Sequence, residues 1–291
     1  MIEQHQVFLE HRRQQEKELS QKDAVVGLFD AVLTIEINTT ELCNRACSFC
    51  PRVDPEVYPN RNLHISEKTV RHIIKDLQRL RFNKKVSFSG FGEPLLYKDF
   101  PWLIKEFRQH LPSVLLETNT NGDRLTSDTI KHLFDSGLNM LYINAYDGPE
   151  QIPFFEEMIA KSQIDISCFK LRPHWTGVNQ QGLILNNRSG ALAHTIQILP
   201  LKQQCFYPFY KMFIDYNGDV LSCSNDWLRK KIIGNVHNTG MEDIWADISW
   251  NDMRRNLLAQ DRSELPCKTC DVNGVLFGST SVEKFFNNGF K

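Results

Sequence analysis

Strand-like and helix-like segments alternate along the first part of the chain, and this alternation constrains the fold more than any other feature. The segments, in chain order, are strand 32–37, helix 67–80, strand 85–89, helix 100–110, strand 114–118, helix 126–136, strand 140–144, helix 153–160 and strand 164–171. Such an alternation forms βαβ units with right-handed crossovers, so it predicts an α/β protein with a parallel sheet. Five strands, with a possible sixth at 182–185, are too few for a closed eight-stranded barrel and favour an open or partial barrel.

The pattern changes after about residue 200. Apolar runs on either side of Asn217-Gly218 predict a β-hairpin over Met212–Cys223. A helix is predicted from about Met241 to Ala259, followed by two more cysteines. We therefore divide the chain into an N-terminal charged helix (1–30), a barrel domain (31–200) and a small C-terminal hairpin/helix module (201–291).

The N-terminal helix is predicted from composition to be solvated or loosely docked. It is rich in charged and amide side chains, and its apolar residues Val7, Phe8, Leu9 and Leu19 are too few to bury it deeply.

The charge balance excludes several classes of protein. The formal net charge is -1, with 34 basic and 35 acidic residues, so no basic face for nucleic acid or an anionic membrane is expected. The N-terminal segment lacks the apolar core of a signal peptide, which predicts a cytoplasmic protein. In that compartment eight cysteines favour metal ligation over a disulfide framework.

Three cysteines lie close together in the loop after the first strand. Cys43, Cys47 and Cys50 place three thiolates within eight residues. Zinc usually recruits four ligands, and a zinc site or redox thiols remain alternatives. A [4Fe–4S] cluster takes four cysteines, one per iron, so three would leave one iron open to a substrate or cofactor.

This spacing resembles the radical S-adenosylmethionine (SAM) superfamily, whose signature is C-x3-C-x-aromatic-C after the first strand, with Phe49 in the aromatic place. The resemblance implies a partial (β/α)6 TIM-like barrel and Phe49 as a cofactor contact. It also implies a [4Fe–4S] cluster whose open iron chelates SAM. Reduction of that cluster, by a flavodoxin- or ferredoxin-type donor, would cleave SAM to a 5′-deoxyadenosyl radical that removes a hydrogen atom from the substrate.

Two more segments extend the resemblance to SAM binding. Phe91-Gly92-Glu93-Pro94 is similar to the family's G-G-E-P motif, which contacts the methionine amino group, with Phe91 in place of the first glycine. Asn119 and Asn121 stand where the family has ribose-contacting polar residues. The resemblance thus implies that Gly92, Glu93, Asn119 and Asn121 bind the cofactor.

The C-terminal module carries a second set of cysteines, Cys205, Cys223, Cys267 and Cys270. Four cysteines with one C-x2-C pair also suit structural zinc. The pattern resembles the auxiliary-cluster domains called SPASM and twitch, and four cysteines match the short twitch form with a single [4Fe–4S] cluster. With all four irons ligated, such a cluster would transfer electrons or stabilise the fold. Cys168 has no partners and is predicted to be a small core residue.

Polar residues after the last strand are candidates for substrate or cofactor contact. Arg172 or Arg188 could bind the methionine carboxylate in a bidentate manner or assist the deprotonation of a substrate radical, with a structural role as the alternative. His174-Trp175 would lie near the substrate entrance. Four residues flank the auxiliary cysteines and are expected mainly to pack: Tyr207, Tyr210, Asp226 and Trp227.

We weigh three functions. The first is a radical SAM oxidoreductase acting on a sugar, cyclitol or similar small polar molecule, as in the twitch dehydrogenases that oxidise an aminocyclitol. The second is a maturase of ribosomally made precursor peptides. Its relatives often carry an N-terminal recognition module of about 80 residues, whereas about 30 residues precede the first strand here. The third is a zinc-stabilised binding protein, which leaves Gly92-Glu93-Pro94 unexplained.

Overall fold

Eight strands form one sheet in the structure, a computed structural model that describes residues 2–22, 27–174, 186–192 and 198–289. The strands are β1 (Thr34–Ile37), β2 (Lys85–Phe88), β3 (Leu115–Thr120), β4 (Met140–Ala145), β5 (Phe169–Pro173), β6 (Lys211–Ile214), β7 (Asp219–Leu221) and β8 (Ile232–Asn235). Their order in the sheet is β5-β4-β3-β2-β1-β6-β7-β8.

The six strands from β5 to β6 run parallel, which confirms the predicted α/β class. Ile35 of β1 pairs with Val86 on one side and with Met212 of β6 on the other. β6 and β7 then form the predicted hairpin, in which Ile214 pairs with Val220. The strand that begins the C-terminal module therefore extends the barrel's own sheet. The possible strand at 182–185 lies outside the described residues.

The helices follow the predicted positions closely in the first part of the chain. Their bounds are α1 (Ile2–Ser20), α2 (Glu67–Arg79), α3 (Phe100–His110), α4 (Ser127–Asp135), α5 (Gln151–Ser162), α6 (Tyr207–Tyr210), α7 (Met241–Trp245), α8 (Ile248–Leu258) and α9 (Ser279–Asn287). Side-chain caps explain why α2 and α4 begin where they do. The hydroxyls of Ser66 and Thr126 accept hydrogen bonds from the backbone of Thr69 and Thr129.

Two larger differences from the predictions arise because an aspartate caps a new turn. The fifth strand begins at Phe169 rather than near residue 164, since Asp165 accepts a hydrogen bond from the Ser167 backbone and starts a short 3-10 turn. The single helix predicted over 241–259 is two helices, because Asp247 caps the second one by accepting from Ser249 and Trp250. The sequence pattern did not predict α6, β8 or α9.

The two faces of the sheet have opposite character. One face carries apolar side chains that pack into the main core beneath the helices, among them Ile35, Val86, Leu116, Leu141 and Met212. The alternate residues of the same strands point to the inner face, which carries polar side chains: Glu36, Lys85, Glu117, Tyr142, Arg172 and Lys211. Because buried charges need partners, this inner face selects what can lie against it.

Helix α1 lies against that inner face, so the prediction of a solvated or loosely docked helix is wrong. Arg12 forms a 3.0 Å ion pair with the fully buried Glu117. Gln15 and Leu19 are also buried. The charged composition that suggested a solvent-exposed helix instead supplies partners for charges inside the barrel.

Within the described part of the chain, none of the helices combines the length and apolar character needed to span a bilayer.

Candidate active site

The loop after β1 holds the first three cysteines. Cys43, Cys47 and Cys50 are free thiols that are partly buried, and the Cys50 backbone donates a hydrogen bond to the Cys47 carbonyl. Burial, together with the neighbouring Cys50 and Cys43, raises the pKa of Cys47 to about 11. Three partly buried thiols within reach of each other's charge need a cationic centre to become thiolates.

Arg45 ties this loop to the carboxyl ends of two neighbouring strands. Its guanidinium donates to Asp123, after β3, at 2.5 Å and to Asp147, after β4, at 2.7 Å. Asn44 also donates to Asp123 at 2.6 Å. The sequence analysis missed these residues, although the position of both aspartates just after predicted strands was a usable signal.

Glu93 lies against the same loop in a buried position. Its carboxylate accepts hydrogen bonds from the Thr120 hydroxyl at 2.7 Å and the Asn121 backbone at 2.8 Å. Burial raises the pKa of Glu93 to about 7, although these hydrogen bonds oppose the shift. The Glu93 backbone donates to the Leu42 carbonyl at 2.7 Å, so the motif and the cysteine loop are joined directly.

Gly92 is required by this close approach. A Cβ added at Gly92 would lie 2.1 Å from the Thr40 carbonyl oxygen and 2.7 Å from that of Leu42. Because both atoms belong to the backbone that leads into Cys43, no side chain can be accommodated without moving the cysteine loop.

Phe91, which replaces the first glycine of the family motif, has a packing role. Its ring centroid lies 4.6 Å from Trp227 and 4.7 Å from Phe213, and Tyr58 packs against its edge. We call these four residues the aromatic cluster. Cys50 packs against this cluster, and Trp227 follows Cys223 by four residues, so the cluster joins the two cysteine-bearing loops.

The two asparagines differ in their surroundings. Asn119 lines the central cavity and accepts a long, 3.5 Å hydrogen bond from Arg172. The Asn121 side chain donates to Asn44 and accepts from the Asp123 backbone, so it stabilises the cysteine loop. Ribose contact by either one stays a prediction.

Arg172 and Arg188 both line the cavity. The Arg172 guanidinium lies 4.3 Å from the centre of the Phe8 ring, and burial lowers its pKa to about 10. Arg188 has φ 51, and its buried Nε has no hydrogen-bond partner among the described residues. The positive charge of Arg188 favours ionisation of both Cys50 and Tyr207, so it lies within electrostatic reach of residues in both cysteine-bearing segments.

Aromatic residues near Phe49 form a further wall that the sequence analysis did not assign. Tyr146 lies 5.4 Å from Phe49 and stacks on His174 at 5.3 Å. Trp175, named with His174 as a candidate, lies outside the described residues. Tyr207 and Tyr210 also line the cavity, whereas the Asp226 carboxylate accepts from the backbone of Lys230 and Lys231.

The cysteines of the second set lie within electrostatic reach of one another. The Cys267 thiol is influenced by the charges of Cys205, Cys223 and Cys270, and burial raises its pKa well above the ordinary range. Gly274 packs on Cys205 so closely that an added Cβ would lie 2.2 Å from the sulfur. The Cys223 sulfur accepts a hydrogen bond from the Asn225 backbone at 3.4 Å. Cys168 is partly buried against the main core, as expected, although it lies in the turn before β5.

The residues present fit iron–sulfur clusters. All seven thiols of the two sets are free, so none is consumed by a disulfide. Among the described residues, no group of three or more His, Cys, Asp or Glu side chains is arranged to hold a single metal ion. Each set nevertheless brings its sulfurs within electrostatic reach of one another, a donor set suited to a multi-iron cluster.

Two family models match the chain at these sites. The radical SAM superfamily matches residues 37–164, and the iron-sulfur cluster-binding domain SPASM matches residues 205–271. The fold and the two thiol sets therefore define an iron–sulfur enzyme, an oxidoreductase. More specifically, the chain carries a radical SAM superfamily domain followed by a SPASM-type domain. Its cofactors are SAM, a [4Fe–4S] cluster in the first domain and further iron–sulfur ligation in the second.

Individual relatives agree with this assignment. The S-adenosyl-L-methionine-dependent 2-deoxy-scyllo-inosamine dehydrogenase of Niallia circulans is 24% identical over 249 residues, covering 81% of this chain and 92% of the relative. The GTP 3′,8-cyclase of Psychromonas ingrahamii is 29% identical over 132 residues, covering 44% of this chain and 37% of the relative.

Solved structures show the same fold. BtrN in complex with AdoMet and 2-DOIA superposes with a TM-score of 0.73 at 23% identity, covering 86% of this chain and 96% of that one. Native anSMEcpe with bound AdoMet gives a TM-score of 0.53 at 13% identity, covering 88% and 96%.

Proposed function

We propose that this enzyme is a dehydrogenase that oxidises a secondary alcohol of a small polar molecule of the aminocyclitol or sugar class. The observation that carries the proposal is one cavity of about 540 Å³ that reaches from Phe49, within the cysteine loop, to Tyr207 and Asp271, beside the second thiol set. That volume suits small ligands. The dehydrogenase of Niallia circulans, named for an aminocyclitol, supports the substrate class.

In this proposal the ligands divide between two domains. Cys43, Cys47 and Cys50 would hold the SAM-binding cluster of the barrel domain, residues 31–200. Cys205, Cys223, Cys267 and Cys270 would hold one auxiliary cluster of the module, residues 201–291. When bound, the first cluster and SAM supply the radical that removes a hydrogen atom from the substrate carbon.

The chain's own residues would hold the cofactor and the substrate. The Glu93 carboxylate suits the methionine ammonium group, because it is buried beside the cysteine loop. Gly92 lets the backbone approach, Phe49 would contact the adenosyl group, and Asn119 presents an amide to the cavity. Arg172, which also lines the cavity, would bind the methionine carboxylate.

Completing the oxidation requires a second electron and a proton to leave the substrate. Loss of a hydrogen atom from the carbon leaves a radical, and loss of one electron and the hydroxyl proton then gives the ketone. The electron would pass to the auxiliary cluster. Arg188 would assist the departure of the proton, since it lines the cavity between the two thiol sets. A flavodoxin- or ferredoxin-type protein would supply the initiating electron.

A peptide maturase is the weaker alternative. The cavity is bounded by α1, the sheet and the C-terminal module, which leaves less room for an extended peptide than for a small molecule.

Anaerobic reconstitution tests the proposal. The enzyme should bind about eight irons per chain, four for each cluster. With dithionite, SAM and 2-deoxy-scyllo-inosamine it should form 5′-deoxyadenosine and a ketone two hydrogens lighter than the substrate. Replacing Cys43, Cys47 and Cys50 with alanine should abolish 5′-deoxyadenosine. Replacing Cys267 and Cys270 should leave SAM cleavage but remove the ketone.

Two outcomes would contradict the proposal. One is 5′-deoxyadenosine formed by the triple cysteine variant. The other is ketone formed at the wild-type rate by the variant that lacks Cys267 and Cys270.

A further inference from the structure

Helix α1 is built into the cavity. Six of its side chains line the cavity wall: Phe8, Leu9, Arg12, Gln15, Glu16 and Leu19. The helix therefore faces the space in which chemistry occurs, a role that its charged composition did not suggest.

Three separate contacts hold α1 in place. Arg12 donates to both carboxylate oxygens of Glu117 at 3.0 Å, and although burial acts against ionisation, Arg12 and Lys85 lower the pKa of Glu117 to about 2. Glu16 accepts a hydrogen bond at 2.8 Å from the backbone of Gly278, where α9 begins. These two contacts connect α1 to the barrel and to the C-terminal module.

The third contact is apolar. Leu19 packs with Leu33 and Tyr210, at the junction of barrel and module. The three anchors lie on successive turns of one helix, so they fix both its position and its rotation.

α1 runs along the cavity rather than across one end of it. The Gln15 side chain accepts a hydrogen bond from Lys85, the first residue of β2, whereas Phe8 contacts Arg172, near the carboxyl end of β5. At about 1.5 Å per residue, these two positions are roughly 10 Å apart along the helix. The cofactor belongs beside the cysteine loop and Arg172, and the substrate must adjoin the cofactor, so the Phe8 end of α1 borders the space left for the substrate.

Phe8 lies at this end of α1. Its ring packs edge-on against Tyr142 at 6.0 Å and lies under the Arg172 guanidinium at 4.3 Å. The ring therefore limits the size of the cavity and holds a partly buried cation in one orientation.

We propose that α1 forms the substrate-facing wall of the active site and that Phe8 is a specificity-determining residue, because its ring bounds the cavity and positions Arg172. This inference rests on the proposed function for the identity of the probe substrate. It does not depend on that function for the docking of the helix.

The test compares Phe8→Ala with Val7→Ala. Val7 is the neighbouring residue on α1 and is 56% exposed, so it provides a matched control. The substrates are 2-deoxy-scyllo-inosamine and its bulkier N-acetyl derivative. Phe8→Ala should lower kcat/KM for the free amine about tenfold and shift the ratio of the two kcat/KM values towards the derivative. Val7→Ala should leave the ratio unchanged, and equal ratios in the two variants would overturn the role of Phe8.

Hydrogen exchange tests the wall without turnover. In the reconstituted enzyme, amides of residues 7–20 should be protected, and SAM with 2-deoxy-scyllo-inosamine should protect them further while leaving α4 unchanged. Exchange of residues 7–20 at unfolded-chain rates would overturn the proposal. If the wild type oxidises neither compound, the proposed substrate is wrong. Hydrogen exchange of α1 with and without SAM then still decides whether α1 forms a wall of the active site.

Discussion

Glu93, the proposed ligand of the methionine ammonium group, shows how burial can tune the ionisation of a single residue. The carboxylate is 3% exposed, and desolvation, which disfavours its charge, outweighs three hydrogen bonds that favour it. Because these opposing effects leave its pKa near 7, the carboxylate changes its ionisation near neutral pH. A cationic ligand would stabilise the ionised form. The methionine ammonium group of SAM is such a ligand.

We therefore predict a pH-dependent affinity for SAM. The pKa of Glu93 is raised to about 7, so the carboxylate is ionised above this pH and protonated below it. Affinity for SAM, measured by calorimetry, should fall about tenfold from pH 8 to pH 6, in proportion to the ionised fraction. Glu93→Gln should bind weakly at both values, and Glu157→Gln, on the exposed side of α5, should behave as wild type. Equal pH dependence in Glu93→Gln would refute the assignment.

At the scale of elements, the cysteine loop is ordered by charges on the neighbouring strand ends. Arg45 bridges Asp123 and Asp147 and also lies 5.4 Å from the centre of the Tyr146 ring. Each contact is partly exposed and weak in isolation. Together they hold the loop against β3 and β4 at several points, so they reduce the entropy lost when a cluster is bound.

Arg45→Gln should therefore affect the cluster more than the fold. Solvent screening limits the loss of unfolding free energy, measured in urea, to about 1 kcal/mol. Iron release from Cys43, Cys47 and Cys50 to a chelator should become several-fold faster. Lys131→Gln, the control, breaks the exposed ion pair with Asp135 on α4. It should change the unfolding free energy by no more than about 0.5 kcal/mol and should leave the rate of iron release nearly unchanged. Unchanged iron release in Arg45→Gln would contradict this role.

At the scale of the whole molecule, the barrel and the module share one sheet and one aromatic cluster. β6 of the module pairs with β1, and Trp227 of the module packs on Phe91 of the barrel. The family motif has glycine at position 91, so this chain uses a motif position to join its two halves. The spacing between the two thiol sets consequently depends on packing at this junction.

Phe91→Ala should destabilise the protein by about 4 kcal/mol, because it leaves a cavity among buried rings. Phe154→Ala, whose ring is 58% exposed, should cost far less and serves as the control. The double variant with Trp227→Ala should be less destabilised than the sum of the single variants by about 1 kcal/mol, the value of a ring pair. Urea unfolding measures all four; strict additivity would argue against a shared cluster.

The limits of prediction follow from the range of the interactions. α3 occurs at the predicted residues, and the predicted hairpin forms around Asn217-Gly218, because apolar spacing and turn residues act within a few positions. Two boundaries were wrong where Asp165 and Asp247 created local caps. The docking of α1 was missed because composition does not reveal that Glu117, 105 residues from Arg12, is fully buried.

The sequence by itself determined the chemistry of this protein: the cysteine spacings, the Gly92-Glu93 pair and the alternation that builds a parallel sheet are all local patterns. Only the tertiary structure decided that β6 joins β1, that Arg45 anchors the cysteine loop and that α1 forms a wall of the cavity. Each of these depends on contacts between residues far apart in the chain, whose burial and charge are defined only after the sheet has formed.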